Sequence, residues 1–329
     1  MPSLKAIRKR ISSVRSTQKI TRALKMVAGA KLNRAQQRIV ELRPYAVKTQ
    51  QVLATITVEP TGTPTKDRPE QGAVGELVDG LYAEVGWGDE PTHPLLVGRP
   101  EKRVLIVVLT SDRGLCGGFN TNINKRATRE WRERTEAGQE AKLVVIGRKG
   151  RDYMTRREAP ILEFIPGVWD KIDMETAQRV SKAILAPFDR KEVDAIYLVY
   201  NEFKSAMSQN VVVERLLPVA RPGGTVGGAA VSTGEQEGEG AVEPEFLFEP
   251  DRKALLDRLV PMYVDISILR ALYESHASFF GAQMTAMDAA TKNAKEMISA
   301  LTLQYNKARQ AAITKELMEI IGGSEALKE

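Results

Sequence analysis

At the start of the chain, apolar or small residues recur every three or four positions: Leu4, Ile7, Ile11, Val14, Thr17, Ile20 or Thr21, Leu24, Ala28, Leu32, Ala35, Ile39 and Leu42. The positions between them are largely Lys, Arg, Gln and Ser, so the spacing predicts one amphipathic helix with a narrow apolar stripe. Gly29 is the only glycine between Ser3 and Pro44, and the sequence stays permissive beyond Pro44. The helix is therefore expected to continue there with a kink and to stop before Pro60.

The other end of the chain is patterned more strictly. Phe280, Met284, Met287, Thr291, Ala294, Ile298, Leu301, Tyr305, Ala308 and Ala312 follow alternating steps of four and three. That is a repeat of about 3.5 residues, which predicts a left-handed coiled coil. The seam is small at Thr291, Ala294, Ala308 and Ala312, so the partner helix must come close. The phase then moves towards Leu317, Ile320 and Ile321, and Gly322 with Gly323 reads as a C-cap. A helix from about Asp251 to Ile321 is on the order of 100 Å long. Its natural partner is the first helix, at the opposite end of the sequence.

Between the two, the period changes. Val104–Thr110, Lys142–Gly147, Ile161–Ile165 and Ala195–Tyr200 are short apolar runs of the kind found in buried parallel strands. Helical stretches at Thr121–Ala137 and Met174–Phe188 alternate with them, and Val211–Val219 reads as a further strand antiparallel to Ala195–Tyr200. The fold class is thus mixed α+β and α/β: a long antiparallel coiled coil of the N- and C-terminal helices with a central α/β, Rossmann-like domain. Glu59–Gly98 and Arg221–Pro244 are rich in Pro, Gly and acidic residues and read as solvated linkers. The expected layout is a coiled-coil helix over 1–58, a linker over 59–98, the α/β domain over 99–220, a Gly/Glu-rich linker over 221–247 and the second coiled-coil helix over 248–329.

Charge separates the same parts. Of the net +6 carried by 329 residues, residues 1–48 hold thirteen Lys or Arg against Glu41 alone, whereas 251–329 hold ten charges of each sign. A basic arm of that density suits phosphate backbones, lipid headgroups or an acidic protein surface. No apolar run approaches the roughly 18 residues of a membrane span.

Candidate chemistry is sparse. Cys116 is the only cysteine, which excludes an internal disulfide and fits a cytosolic chain. His93 and His276 stand apart from any Cys or His cluster, so no metal site is expected. The loop Ser111–Asn120, SDRGLCGGFN, follows a strand and precedes a helix as phosphate-binding loops do. It lacks the lysine of a P-loop, and Gly114, Gly117 and Gly118 have the wrong spacing for a dinucleotide fingerprint. The loop is read as a tight turn in which the three glycines relieve backbone crowding and Cys116 is a small buried residue. Asp112 and Arg113 are its polar candidates. No catalytic residue and no cofactor is expected. Two functional classes remain: a mechanical or structural subunit, and a nucleic-acid-binding helical arm.

Four motifs, in order, resemble one family. Ile7–Leu32 and Leu303–Gly323 closely resemble the terminal signatures of the gamma subunit of F-type ATP synthases, Ser111–Ile123 its central motif, and Phe248–Val264 the entry to its last helix. The resemblance implies a non-catalytic central rotor on the cytoplasmic side of the bacterial inner membrane, attached peripherally. Its partners would be three alpha and three beta subunits, the epsilon subunit and the c-ring, with neither nucleic acid nor direct membrane insertion. It also implies coupling contacts at Arg309, Gln310, Thr314 and Glu316, with Leu24, Lys25 and Met26 on the facing helix. Leu317, Ile320 and Ile321 would sit in an apolar sleeve of the ring, and the loop at Asp112, Arg113 and Cys116 would lie near beta. This chain departs from the family at Ser278–Met284, where Phe279, Phe280 and Gln283 replace a polar, charged set. Plant members carry a regulatory cysteine pair in a central segment; neither linker here contains a cysteine, which excludes that switch.

Overall fold

The structure, a computed structural model, describes residues 3–57, 93–219 and 252–326. The linkers read at 59–98 and 221–247 lie outside it except at His93–Gly98. That short stretch is part of the core: Leu95 and Leu96 are buried, and the Leu95 carbonyl accepts a hydrogen bond from the Val219 amide.

Helix α1 spans Leu4–Thr57 and helix α5 spans Arg252–Ala326, the latter with 75 residues and a length of about 110 Å. α1 runs unbroken across Pro44, which faces solvent, where water can serve the carbonyl that the proline leaves unpaired. α5 runs through Gly322 and Gly323 as well, so the C-cap expected there does not form. The two helices are antiparallel partners. Arg8 donates to the Tyr305 hydroxyl at 2.8 Å, Thr21 meets Thr291 at 2.8 Å, Lys25 pairs with Asp288, and Arg38 lies over the Tyr273 ring.

Five strands form one sheet in the order β3-β2-β1-β4-β5. They are β1 (Arg103–Leu109), β2 (Glu140–Ile146), β3 (Ile161–Ile165), β4 (Ala195–Phe203) and β5 (Gln209–Leu217). All neighbours are parallel except β4 and β5, which close an antiparallel hairpin. Helices α2 (Phe119–Glu136), α3 (Arg148–Thr155) and α4 (Met174–Asp189) connect the strands. α3 had no counterpart in the sequence reading.

β1 explains why its sequence is an unbroken apolar run. Leu105, Val107 and Leu109 enter the core shared with α4 and the first part of α5, and Val104, Ile106 and Val108 enter the core under α2 and α3. A strand covered on both faces has no polar side to show. The second core continues into the coiled coil through Ala28, Leu32 and Ala35 of α1 and Ala277, Phe279 and Phe280 of α5. The shaft and the α/β domain are therefore packed as one body.

Candidate functional site

Three regions carry the residues singled out from the sequence: the seam, the free end of α5 and the loop after β1. Along α5 from Thr291 to Ile321, the residues that are not exposed are Thr291, Ala294, Ile298, Leu301, Tyr305, Ala308 and Ala312. Phe280 and Met287 are buried below them, and Met284 is half-buried. On α1 the seam passes through Gln18 and Thr21, while Thr17 and Ile20 face solvent. Of the two readings open at that turn, the polar residue occupies the seam. Thr291 donates to the Met287 carbonyl at 2.7 Å, which leaves its oxygen to accept from Thr21.

The free end lies beyond the start of α1. Tyr305 is opposite Arg8, and every residue from Ile313 to Ile321 is exposed. Ile313, Leu317, Met318, Ile320 and Ile321 thus present apolar side chains with no cover from the described residues. Arg309, Gln310 and Glu316 are exposed, and Thr314 donates to the Gln310 carbonyl at 2.9 Å. Leu24, Lys25 and Met26, expected on the facing helix, lie on α1 at a different level of the shaft from this group. Lys25 is opposite Asp288, whose carboxyl is held below its ordinary pKa by hydrogen bonds from Lys25 and Lys292. Arg309 is about twenty residues further along α5, roughly 30 Å away at helical rise. Met26 is exposed and Leu24 half-buried, and the two groups lie at two levels of the shaft.

The loop after β1 is held by its own polar groups. Ser111 donates to the Arg113 carbonyl at 2.6 Å, and Asn120 accepts from the Ser111 amide at 2.9 Å. Asp112 accepts from the Arg148 amide at 2.9 Å, tying the loop to α3. Cys116 is 3% exposed in the core, and burial raises its pKa. It is an apolar filler here and offers no surface thiol. Among the three glycines, only Gly117 has a positive φ, at 55°. Gly114 has open space where a Cβ would go, and Leu115 takes a φ of 64° as a non-glycine. Gly117 thus meets the expectation for this loop, and a harder steric limit falls on two glycines outside it. A Cβ on Gly147 would lie 2.0 Å from the Thr110 carbonyl oxygen, and one on Gly150 would lie 2.5 Å from its hydroxyl.

The strand order reverses between β1 and β4, and an open α/β sheet usually takes its ligand at the carboxyl ends of such strands. Here α5 occupies that place. Ser278 donates to the Asn201 carbonyl at 3.1 Å, Phe279 packs edge-on against Phe119, and a Cβ on Gly281 would lie 3.2 Å from the Ala206 carbonyl oxygen of the β4–β5 turn, a tight approach. The departure at Phe279 and Phe280 thus plugs the crevice. His276, isolated in the sequence, is sandwiched between Trp169 and Phe280, and burial together with Arg38 and Lys31 lowers its pKa to about 4. One turn below, Arg270 and Tyr200 both donate to Glu214, and burial raises the neighbouring Glu274 to about 7. Among the described residues no group of three His, Cys, Asp or Glu could hold a metal, and no helix is long and apolar enough to cross a membrane.

A family model described as ATP synthase matches residues 3–327. The chain is similar to the ATP synthase gamma chain of Sorangium cellulosum (strain So ce56), 67% identical with all of both chains covered. It is 44% identical to that of Anaeromyxobacter sp. (strain Fw109-5), again over the full length of both. Among solved structures, a chain of the Euglena gracilis mitochondrial ATP synthase rotor aligns with a TM-score of 0.58 at 17% identity, covering 94% of this chain and 98% of that one. A chain of the Tetrahymena thermophila mitochondrial ATP synthase central stalk and c-ring gives 0.54 at 21%, covering 82% and 99%. At these identities the structural likeness concerns the fold.

Proposed function

The chain belongs to the ATP synthase gamma-chain family, and from that premise we infer how its geometry performs the work of a central stalk. It is a non-catalytic subunit of an F-type ATP synthase that couples rotation to catalysis in its partners, peripheral to the bacterial inner membrane on the cytoplasmic side. Catalysis needs no constellation in this chain, because nucleotide chemistry belongs to other subunits.

The observation that carries the mechanical reading is the free end of α5. A single helix emerges past its partner and exposes Leu317, Ile320 and Ile321 at 54%, 72% and 47%. Side chains of that kind on a bare helix call for an enclosing apolar surface, and the ring of alpha and beta subunits would supply it as a sleeve. Arg309 and Gln310, exposed just below, would hydrogen-bond a beta-subunit loop, with Arg309 as the charged donor. Leu24, Lys25 and Met26 would form a second, lower station. The exposed Arg8, Lys9, Arg10, Arg15, Lys19 and Arg22 of α1 would face acidic lever segments of beta. The α/β domain would rest with the epsilon subunit on the c-ring, and the loop at Asp112 and Arg113 would pass the lower ends of beta.

A shaft shifts the states of its partners only if it contacts their conformations unequally. Removing contacts at one station should therefore impair coupling and spare assembly. The Arg309→Ala, Gln310→Ala double variant should assemble into the complex and lose most ATP-driven proton pumping, measured in inverted vesicles. Pumping at the level of the unaltered complex overturns the assignment of these two residues.

A further inference from the structure

The turn that joins β4 to β5 is locked in place, yet its tip is bare. The Ser205 amide donates to the Ser208 carbonyl at 3.0 Å, and the Ser208 amide to the Ser205 hydroxyl at 3.0 Å. Gln209 and Thr285 both donate to the Ala206 carbonyl, at 2.9 and 3.1 Å, which ties the turn to α5. Met207, within this turn, is 84% exposed. A turn so constrained holds its methionine out at a fixed place, where a partner's apolar surface can cover it.

Beside Met207 a pocket of about 280 Å³ opens between the turn, the start of α2 and the small residues Ala282, Ala286 and Ala289 of α5. Asn201 lines it. Val199 and Phe203, two positions to either side along β4, pack in the core under α2, so alternation turns the Asn201 side chain to the same face. Asn201 is 3% exposed; its backbone carbonyl accepts from Ser278, whereas its side-chain amide has no hydrogen-bond partner among the described residues. The amide is not sealed, as the unpaired Asn124 oxygen on α2 is, and its remaining surface faces the pocket. Buried amides are almost always paired, so this one calls for an occupant that brings both a donor and an acceptor. Water can serve it until a group that makes the same bonds takes its place.

The lining also sets the occupant's charge. Its twelve residues include no Lys, Arg, Asp, Glu or His, although 27% of the chain is charged. A charged side chain seated here would lose its water and find no counter-charge, so the occupant is neutral. Leu24, Asp112 and Arg113, assigned above to contacts with beta, do not line this pocket. A seat that grips a side chain resists sliding, so on a rotor it suits a subunit that turns with the shaft.

We propose, on the central-stalk reading, that this pocket seats a neutral amide side chain, Asn or Gln, of the epsilon subunit, which that reading sets with this chain on the turning c-ring. Apolar neighbours of the seated residue would cover Met207. Cys116 is the only native cysteine and is buried, so Met207→Cys in the full-length chain can be labelled selectively with benzophenone-4-maleimide and assembled into the complex. Illumination should join it to epsilon. Joining to alpha or beta, or to no subunit, overturns the proposal and leaves the central-stalk reading to its own test at Arg309 and Gln310. Titration of epsilon into the unlabelled full-length chain, followed by calorimetry, reads the pocket itself. Asn201→Leu and Ala289→Trp, the second at an exposed position, should each weaken binding about tenfold. Binding unchanged by either substitution overturns the proposal. Asn201→Leu should not lower the urea midpoint of the free chain, because the amide it removes is unpaired there. A lowered midpoint would make Asn201 a structural residue and overturn its part in recognition.

Discussion

The lower and upper parts of α5 are one continuous helix in two environments. From Leu256 to Phe280 it is buried on several sides: Val260, Val264, Ile266, Ile268, Leu269, Ala271, Leu272 and Ala277 are all core residues. From Thr291 to Ala312 it is covered along one narrow stripe, and beyond that not at all. A helix gripped from several sides follows every rotation of the domain around it. A helix held on one stripe by threonines and alanines loses few contacts when it bends or twists. Burial therefore divides this rod into an anchor and a compliant shaft, while the unbroken backbone ladder joins them.

Truncating matched leucines on either side should break or confirm that division. Leu272→Ala removes a side chain with no exposure and should cost about 3–4 kcal/mol. Leu301→Ala on the shaft removes the same atoms from a side chain 8% exposed but covered by one partner helix alone, and should cost less, about 2 kcal/mol, because the pair can close over the gap. Urea unfolding of the full-length chain measures both. Equal losses would mean that the shaft is packed as tightly as the anchor.

The sequence made the anchor and the shaft legible to different degrees, for physical reasons. The seam of α5 was readable because an exposed coiled coil has only one stripe to satisfy. On α1 the reading faltered between Ile20 and Thr21, where hydrophobicity favoured the residue that turns out to face solvent. Thr21 takes the seam because Thr291 lies opposite, a fact of pairing and not of either helix alone. The same is true of the axial stagger that separates Lys25 from Arg309. In the loop after β1, glycine content suggested steric demand, which Gly117 meets through its positive φ, yet the glycines with no room for a Cβ are Gly147 and Gly150. Their need arises from Thr110, just past the end of β1, and exists only once β1 and β2 are in register. His276 looked isolated because Trp169, which stacks on it, is over a hundred positions away.

The anchor also carries two buried ionisable groups with opposite pH responses. Glu274 faces Arg270 on its own helix, Glu214 and Glu202 from the sheet and Arg43 from α1, and burial sets its pKa near 7. Between about pH 4.5 and 7 the folded state binds the extra proton, so this group's contribution to stability falls as pH rises. His276, near 4 under burial and the charges of Arg38 and Lys31, does the reverse. The unfolded state binds the extra proton between about pH 4 and 6.5, so stability rises with pH. From about 4.5 to 6.5 the two slopes oppose each other, and the unaltered chain should be nearly flat. Glu274→Gln should unmask a rise of roughly 2–3 kcal/mol over that window, and His276→Gln a fall of similar size. Urea unfolding at a series of pH values reads both. Parallel slopes in the two variants would remove the buried pair from the account.

The smallest effect should come from the hydroxyl pair in the shaft. Because Thr291 gives its proton to the Met287 carbonyl, Thr21 is the donor between them, with the Gln18 carbonyl at 3.1 Å as its alternative. Thr21→Val leaves no donor stranded and should cost at most about 1 kcal/mol. Thr291→Val frees Thr21 to turn to Gln18, with a similar cost. Replacing both by valine of the same shape should be within about 0.5 kcal/mol of the unaltered chain, since an apolar pair suits the seam as well as a bonded one. The cycle then separates stability from position. If the double variant keeps its stability while a disulfide placed across the helices at Lys25 and Asp288 forms more slowly, the pair sets the axial register of the shaft. If crosslinking is unchanged, the neighbouring alanines and leucine fix the register by shape alone, and the shaft is stiffer than its thin burial implies.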